Sequence, residues 1–252
     1  MFDLNQIRMP KDLMLHTGCN MLIYGVAGSG KTRLSLTAPT PLLWAVENGL
    51  LSVQNEPIQT VQLPIQQEIN RVLAMSDSDR KRIDPFVCVN EFVDWCTTQK
   101  THETVIVDSL SELSSLVYSF YAARETNTQR AYGLMAERLL QWVKKLYYAP
   151  CNVVFICKET QVNKGTDDNP KYVAVPSIVG QKTYSEISHL IDVILRIQVK
   201  MFPANGKMQE FNVFSSKEHV NYHARDRSGK LGEFELVDNG LTYIINKLKG
   251  SV

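Results

Sequence analysis

Residues 25–32 read Gly-Val-Ala-Gly-Ser-Gly-Lys-Thr, and an apolar run from Asn20 to Tyr24 leads directly into them. This G-x-x-x-x-G-K-[ST] pattern, placed after a strand and before a helix, constrains the chain more than any other feature. Its glycines let backbone N–H groups turn inward around phosphate oxygens. A helix opening at Lys31 adds partial positive charge at its N-terminus. Lys31 is directed at the outer phosphates and Thr32 offers its hydroxyl to Mg²⁺. Gly25, Val26, Ala27, Gly28, Ser29, Gly30, Lys31 and Thr32 are therefore the candidate phosphate cradle, with ATP and Mg²⁺ as expected ligands.

Further short apolar runs predict more buried strands: Leu42–Val46, Ile58–Leu63, Phe86–Val89, Thr104–Val107 and Asn152–Cys157. Helical segments are expected between them. One lies over Gln66–Ile83, interrupted around residues 76–79. Another is capped by Asn90 and carries Phe92, Val93 and Trp95. Two more cover Glu112–Ala123 and Arg130–Tyr147, the second ended by Pro150. Residues 160–182 read as a long polar loop containing Gly165, Asp167, Asp168, Asn169, Pro170 and Gly180. Asp192–Val199 and Phe211–Phe214 alternate like strands, with Asn205-Gly206 as a hairpin signal. Phe234–Val237 closes the set as a strand, and Leu241–Leu248 as a helix. Strands alternating with helices predict an α/β fold with a mostly parallel twisted sheet and antiparallel C-terminal strands.

The formal net charge of +1 over 252 residues gives no global basic field. Nucleic acid binding, if present, must rest on a local basic segment. The five cysteines are odd in number and show no C-x-x-C spacing, which predicts free thiols in a reducing compartment rather than a zinc site. No apolar run approaches the ~18 residues of a membrane span. The expectation is one domain over residues 1–252, with a core at about 18–235, a lead-in at 1–17 and a cytoplasmic location.

Asp108 ends the run Val105-Ile106-Val107, where a parallel strand delivers a carboxylate into the ligand crevice. Beside the phosphate loop it suits the Mg²⁺ held by Thr32, in preference to the alternative role of a helix N-cap. Glu47 ends another apolar run and is a candidate general base or water-positioner. Glu112 and Glu159 are rivals near other strand ends. In His223-Ala224-Arg225-Asp226-Arg227-Ser228-Gly229 two arginines are spaced to share one side of an extended segment. Such a pair could stabilise charge on a phosphate held by a neighbouring subunit, or could belong to a polar turn.

Taken in order, GVAGSGKT, the strand before Glu47, VIVDS at 105–109, VVFIC at 153–157 and HARDRSG at 223–229 resemble the RecA core over roughly residues 18–235. The resemblance is to the small RecA-like ATPases of bacteriophages associated with recombination and single-strand annealing. It implies a catalytic role for Glu47, a metal-orienting role for Asp108, and action of Arg225 and Arg227 across a subunit interface. The first of these arginines stands where the family has Lys. Lys158 falls at the γ-phosphate sensor position, where the family often has Gln or His. Residues 160–182 fall where RecA places a DNA-binding loop, so Lys164, Lys171, Tyr172 and Lys182 are the implied nucleic-acid contacts.

The implied activity is DNA-stimulated ATP hydrolysis in recombination, repair or replication. Single-stranded DNA, further copies of the chain with ATP at their interfaces, and a single-strand-binding or annealing protein are the implied partners. A phage-encoded chain would act in the host cytoplasm. A DnaB-like translocating core and a non-hydrolysing nucleotide switch that loads other proteins remain open alternatives.

Overall fold

The computed structural model describes residues 18–80, 82–204 and 207–251. The apolar run at Asn20–Gly25 is β1, buried at every position. After the glycine-rich loop come a short α1, Lys31–Leu34, and a 3₁₀ turn at Ser35–Thr37. The chain continues with β2 (Pro41–Ala45), β3 (Gln59–Val61), α2 (Ile65–Leu73), α3 (Asp77–Arg80) and α4 (Val87–Cys96). Next are β4 (Thr104–Asp108), α5 (Leu110–Ala122), α6 (Thr128–Tyr147), β5 (Asn152–Asn163), β6 (Tyr172–Pro176) and α7 (Gln181–Leu190). The C-terminal part holds β7 (Val193–Ala204), β8 (Lys207–Ser215), β9 (Arg225–Asp226), β10 (Phe234–Leu236) and α8 (Gly240–Lys249).

The ten strands form one sheet in the order β10-β8-β7-β1-β5-β4-β2-β3, with β6 added to β5 and β9 to β7. The run β7-β1-β5-β4-β2-β3 is parallel, while β8, β10, β6 and β9 pair antiparallel. The fold is the expected α/β architecture with a mostly parallel sheet. Strands covered on both faces need apolar residues at successive positions, which is why their sequences read as unbroken runs. In β1 the alternation still sorts the two sides. Leu22 and Tyr24 join Trp44, Val105, Val153 and Phe155 under α4, α5 and α6. Met21 and Ile23 join Leu43, Ile106, Val154 and Leu195 under Leu34 and the α8 residues Leu241, Ile244 and Ile245. Cys96, Cys151 and Cys157 are buried thiols, Cys19 and Cys88 are half-buried, and all five are free. No helix among the described residues is long and apolar enough to cross a membrane.

The structure corrects the sequence reading in three places. Phe86–Val89 is not a strand: Phe86 precedes α4, and Val89, Phe92, Val93 and Cys96 make its buried stripe. Four apolar residues cannot reveal their period, whereas the i, i+3, i+4, i+7 stripe of the whole segment does. Asn90 accordingly lies inside α4 and does not cap it. Its Oδ1 accepts from Trp142 Nε1 at 2.7 Å, and its Nδ2 donates to Asp84 Oδ2 at 3.3 Å. Residues 160–182 are not a long loop. β5 runs on to Asn163, turns, and returns as β6 with Glu159 opposite Pro176 and Asn163 opposite Tyr172, and α7 follows. The hairpin signal Asn205-Gly206 lies outside the described residues, but Ala204 pairs with Lys207 across it.

Trp142 is buried within an aromatic cluster, at 5.5 Å from Phe86 between ring centroids. Replacing its acceptor Asn90 leaves the indole N–H without a partner. Asn90→Leu should therefore destabilise the fold by about 1–3 kcal/mol, measured by urea unfolding.

Candidate nucleotide site

The site is built at the C-terminal ends of four adjacent parallel strands. The ladder sets Gly25 beside Lys158, and Asp108 beside both Ile156 and Ala45. Val46 N donates to Asp108 O at 2.7 Å, which fixes the chain just before Glu47. Neighbouring strands lie about 4.8 Å apart, so four short segments bring their terminal side chains to one edge.

Gly28 and Gly30 have φ of +77° and +82°, and a Cβ at either would meet nothing within 4 Å. Backbone conformation, not space, demands glycine at both. Gly25 is held by close approach instead: a Cβ there would lie 3.0 Å from Ile197 O. Lys31 Nζ donates to Gly25 O at 2.8 Å and Val26 O at 2.7 Å, folding back over its own loop. Val26, Ala27 and Ser29 complete the turn, with Ser29 N on Val26 O at 3.3 Å. Burial lowers the Lys31 pKa, opposed by the nearby Asp108, Glu159 and Glu47 carboxylates.

Thr32 Oγ1 donates to Asp108 Oδ2 at 2.6 Å. Burial pushes the Asp108 carboxyl above its usual range. The Thr32 hydrogen bond works against that shift and the Glu47 charge adds to it. A hydroxyl and a buried carboxylate in contact are hard oxygen donors that fit Mg²⁺. Among the described residues no group of three His, Cys, Asp or Glu could hold a metal without help. An ion held by Thr32 and Asp108 would need its remaining oxygens from outside the chain, such as phosphate and water. The N-cap of α5 is Ser109, not Asp108: Ser109 Oγ accepts from Glu112 N at 3.2 Å.

Glu47 faces the same edge. Its Oε1 accepts from Ser109 Oγ at 3.0 Å, and its Oε2 lies 3.1 Å from Lys158 Nζ. Lys158 also reaches Glu112 Oε2 at 3.0 Å. Burial works to lower the Lys158 pKa, but the hydrogen bonds to Glu112 and Glu47 outweigh it and leave the ammonium above the ordinary lysine range. The third acidic candidate, Glu159, is engaged in a bidentate pair with Arg196, both bonds at 2.9 Å. Sequence reasoning passed over Ser109 and Ser111, which hold Glu47 Oε1 and Lys158 N. The spacing Ser109-Leu110-Ser111-Glu112, a capping-box signature, was the available signal.

The remaining candidates lie elsewhere. Lys164 and Lys171 face each other across the β5–β6 turn, with Lys164 N on Lys171 O at 2.8 Å, and Tyr172 beside them is 59% exposed. Lys182 is apart from this group, on the first turn of α7, 3.9 Å from Glu186. Arg225 lies on β9 beside Ile194, level with Leu22 in the middle of β1, while the phosphate loop follows the end of β1. Its Nη2 donates to Ser188 O and, at 2.6 Å, to Ile191 O, and Arg227 Nη2 donates to His189 O at 2.6 Å. Both guanidinium groups thus satisfy the C-terminal carbonyls of α7, where the helix dipole favours a cation. They do not meet the phosphate loop of their own chain.

Phosphate loop, Thr32–Asp108 pair and carboxylate at the neighbouring strand end together define a P-loop nucleotide-binding ATPase. A family model described as AAA domain matches residues 17–228, and the chain belongs to that family. No curated protein matches the sequence. Among solved structures the chain is similar to a KaiC-like protein from the hyperthermophilic archaeon Pyrococcus horikoshii OT3. The identity is 11% and the TM-score 0.41, over 90% of this chain and 89% of that one.

His223, between Tyr24 and the two arginines, makes the stability pH-dependent. Its carbonyl accepts from Tyr24 Oη at 2.7 Å, its Nδ1 contacts Tyr184 Oη, and burial lowers its pKa from 6.5 to about 4. The unfolded chain takes up this proton first. The contribution of His223 is therefore complete above pH 6.5 and declines as pH falls toward about 4. His223→Gln should flatten that slope, read from urea midpoints between about pH 7.5 and 4.5.

Proposed function

We propose that this chain hydrolyses ATP with Mg²⁺ and couples turnover to single-stranded DNA in phage-type recombination, repair or replication. The observation that carries the hydrolytic half is Glu47, gripped at both oxygens beside the Thr32–Asp108 pair. A carboxylate so placed accepts a proton from, or orients, a water in line with the outer phosphate. The inward-turned N–H groups of residues 25–32 and the Lys31 ammonium hold the phosphates. Thr32 and Asp108 would hold Mg²⁺, which supplies charge neutralisation on the phosphate oxygens when bound. Lys31 exchanges its carbonyl partners Gly25 O and Val26 O for phosphate.

The DNA half is supported by continuity. β5 passes from Lys158, beside Gly25, straight into the hairpin that presents Lys164, Lys171 and Tyr172. Lysines neutralise backbone phosphates and an exposed tyrosine stacks on a base, while Asp167 and Asp168 at the turn keep the net charge low. Tyr24, the residue before the phosphate loop, also lies 3.0 Å from Ala174 O of β6.

The oligomeric half is supported by the arginines. They bond to the carbonyls that end α7 and not to their own phosphate loop, so a contact with nucleotide would be made across a subunit boundary. Both arginines bond to α7 carbonyls of their own chain, but Arg227 is the more exposed of the two and is the one that would exchange its contacts for a neighbour.

ATP hydrolysis with and without single-stranded DNA tests the reading. DNA should raise turnover, Glu47→Gln should lower it by about 100-fold or more, and Lys31→Ala should abolish it. Turnover that is low and indifferent to DNA would leave a nucleotide switch instead. Arg227→Ala should reduce turnover with ATP affinity nearly intact, whereas Arg225→Ala should lower thermal stability by uncovering the end of α7. Collapse of ATP affinity in Arg227→Ala would place that residue in its own chain's site.

A further inference from the structure

Glu47 is held from two directions. Ser109, at the β4–α5 junction, donates to one oxygen at 3.0 Å, and Lys158, on β5, pairs with the other at 3.1 Å. Lys158 is itself shared, since Glu112 Oε2 lies 3.0 Å from the same ammonium. The Lys158 backbone is pinned as well, its N–H donating to Ser111 Oγ at 2.9 Å. Ser109 and Glu112 have the spacing of a capping box, in which the glutamate ordinarily turns back to the N-cap N–H. Here Ser109 does cap α5, but the Glu112 carboxylate reaches across to β5.

We infer that Glu112 and Lys158 are positioning residues for ATP hydrolysis, holding the Glu47 carboxylate toward the outer phosphate while sharing the lysine charge between two carboxylates. The inference rests on the hydrolytic reading above. A lysine facing Glu47 alone would spend its whole charge on that carboxylate and hold it back from a water at the outer phosphate. A second carboxylate on the same ammonium, 3.0 Å away against 3.1 Å for Glu47, divides that pull between two partners. The three side chains are each between a third and a half exposed, so their contacts exchange at little cost when phosphate arrives. Asp108 and Lys31 are the other charged groups facing Glu47 and Lys158, and neither touches Glu112.

The test is Glu112→Gln in steady-state ATP hydrolysis, with ATP and ADP affinities from titration calorimetry and thermal stability from scanning calorimetry. The expected result is a kcat lowered about tenfold, affinities within about twofold, and an unchanged melting temperature. Lys158→Arg should retain most of kcat, and Lys158→Met should lose at least as much as Glu112→Gln. An unchanged kcat in Glu112→Gln overturns the inference. So does a kcat loss matched by loss of nucleotide affinity or of thermal stability, because Glu112 would then serve the phosphate site or the helix.

A second readout needs no turnover. In ¹³C-lysine NMR the Lys158 ammonium of the unaltered chain should titrate above ordinary lysine, and Glu112→Gln should bring it down. A Lys158 titration indifferent to Glu112 overturns the pairing even if the unaltered chain proves inactive. Inactivity of the unaltered chain counts against the hydrolytic reading instead.

Discussion

The hydrogen-bond ladder joining β1, β5, β4 and β2 is the constraint on which the rest of this protein depends. In-register pairing sets Gly25 against Lys158 and Asp108 against Ala45. Residues more than a hundred positions apart therefore end their strands on one line. Strand spacing near 4.8 Å then does what no local sequence could do. It puts the phosphate loop, Asp108, Glu47 and Lys158 within a few side-chain lengths of one another. Both faces of these strands are covered by helices, so a one-residue slip would exchange the two apolar clusters and is strongly opposed.

The charges gathered at that edge are balanced among themselves. Lys31 rests on loop carbonyls, Thr32 on Asp108, and Lys158 between Glu47 and Glu112. The balance is incomplete, because Asp108 is held above its ordinary carboxylate range and Lys31 below its ordinary ammonium range, in each case chiefly by burial. Both shifts mark charged forms that lack sufficient compensation. A cation beside Asp108 and an anion beside Lys31 would provide that compensation, and a metal–nucleotide ligand would relieve both electrostatic costs together.

Buried strands and the phosphate loop were legible because each has a one-dimensional signature. Val105-Ile106-Val107 and Val153-Val154-Phe155 can only be covered on both faces, and Gly28 and Gly30 stand where φ is positive. The hairpin of β5 and β6 carried no such mark. Val162 is the lone apolar residue from Glu159 through Asn163, so no alternation marked them as paired. α7 was equally silent, since Thr183 and Ser188 are two of its three buried residues. Phe86–Val89 misled for the opposite reason, being apolar enough for a strand yet the start of the α4 stripe.

Local chemistry wrote the loop at 25–32, the carboxylate after Val107 and the alternation of strands with helices into the chain, because steric and desolvation rules act residue by residue. The partners of those groups came from folding. Asp108 met Thr32, Glu159 paired with Arg196, Lys158 bridged Glu47 and Glu112, and Arg225 covered the end of α7. A polar side chain near a strand end has several acceptors within reach of its rotamers. Which one it takes depends on strand order and helix placement, quantities that exist only once the sheet has formed.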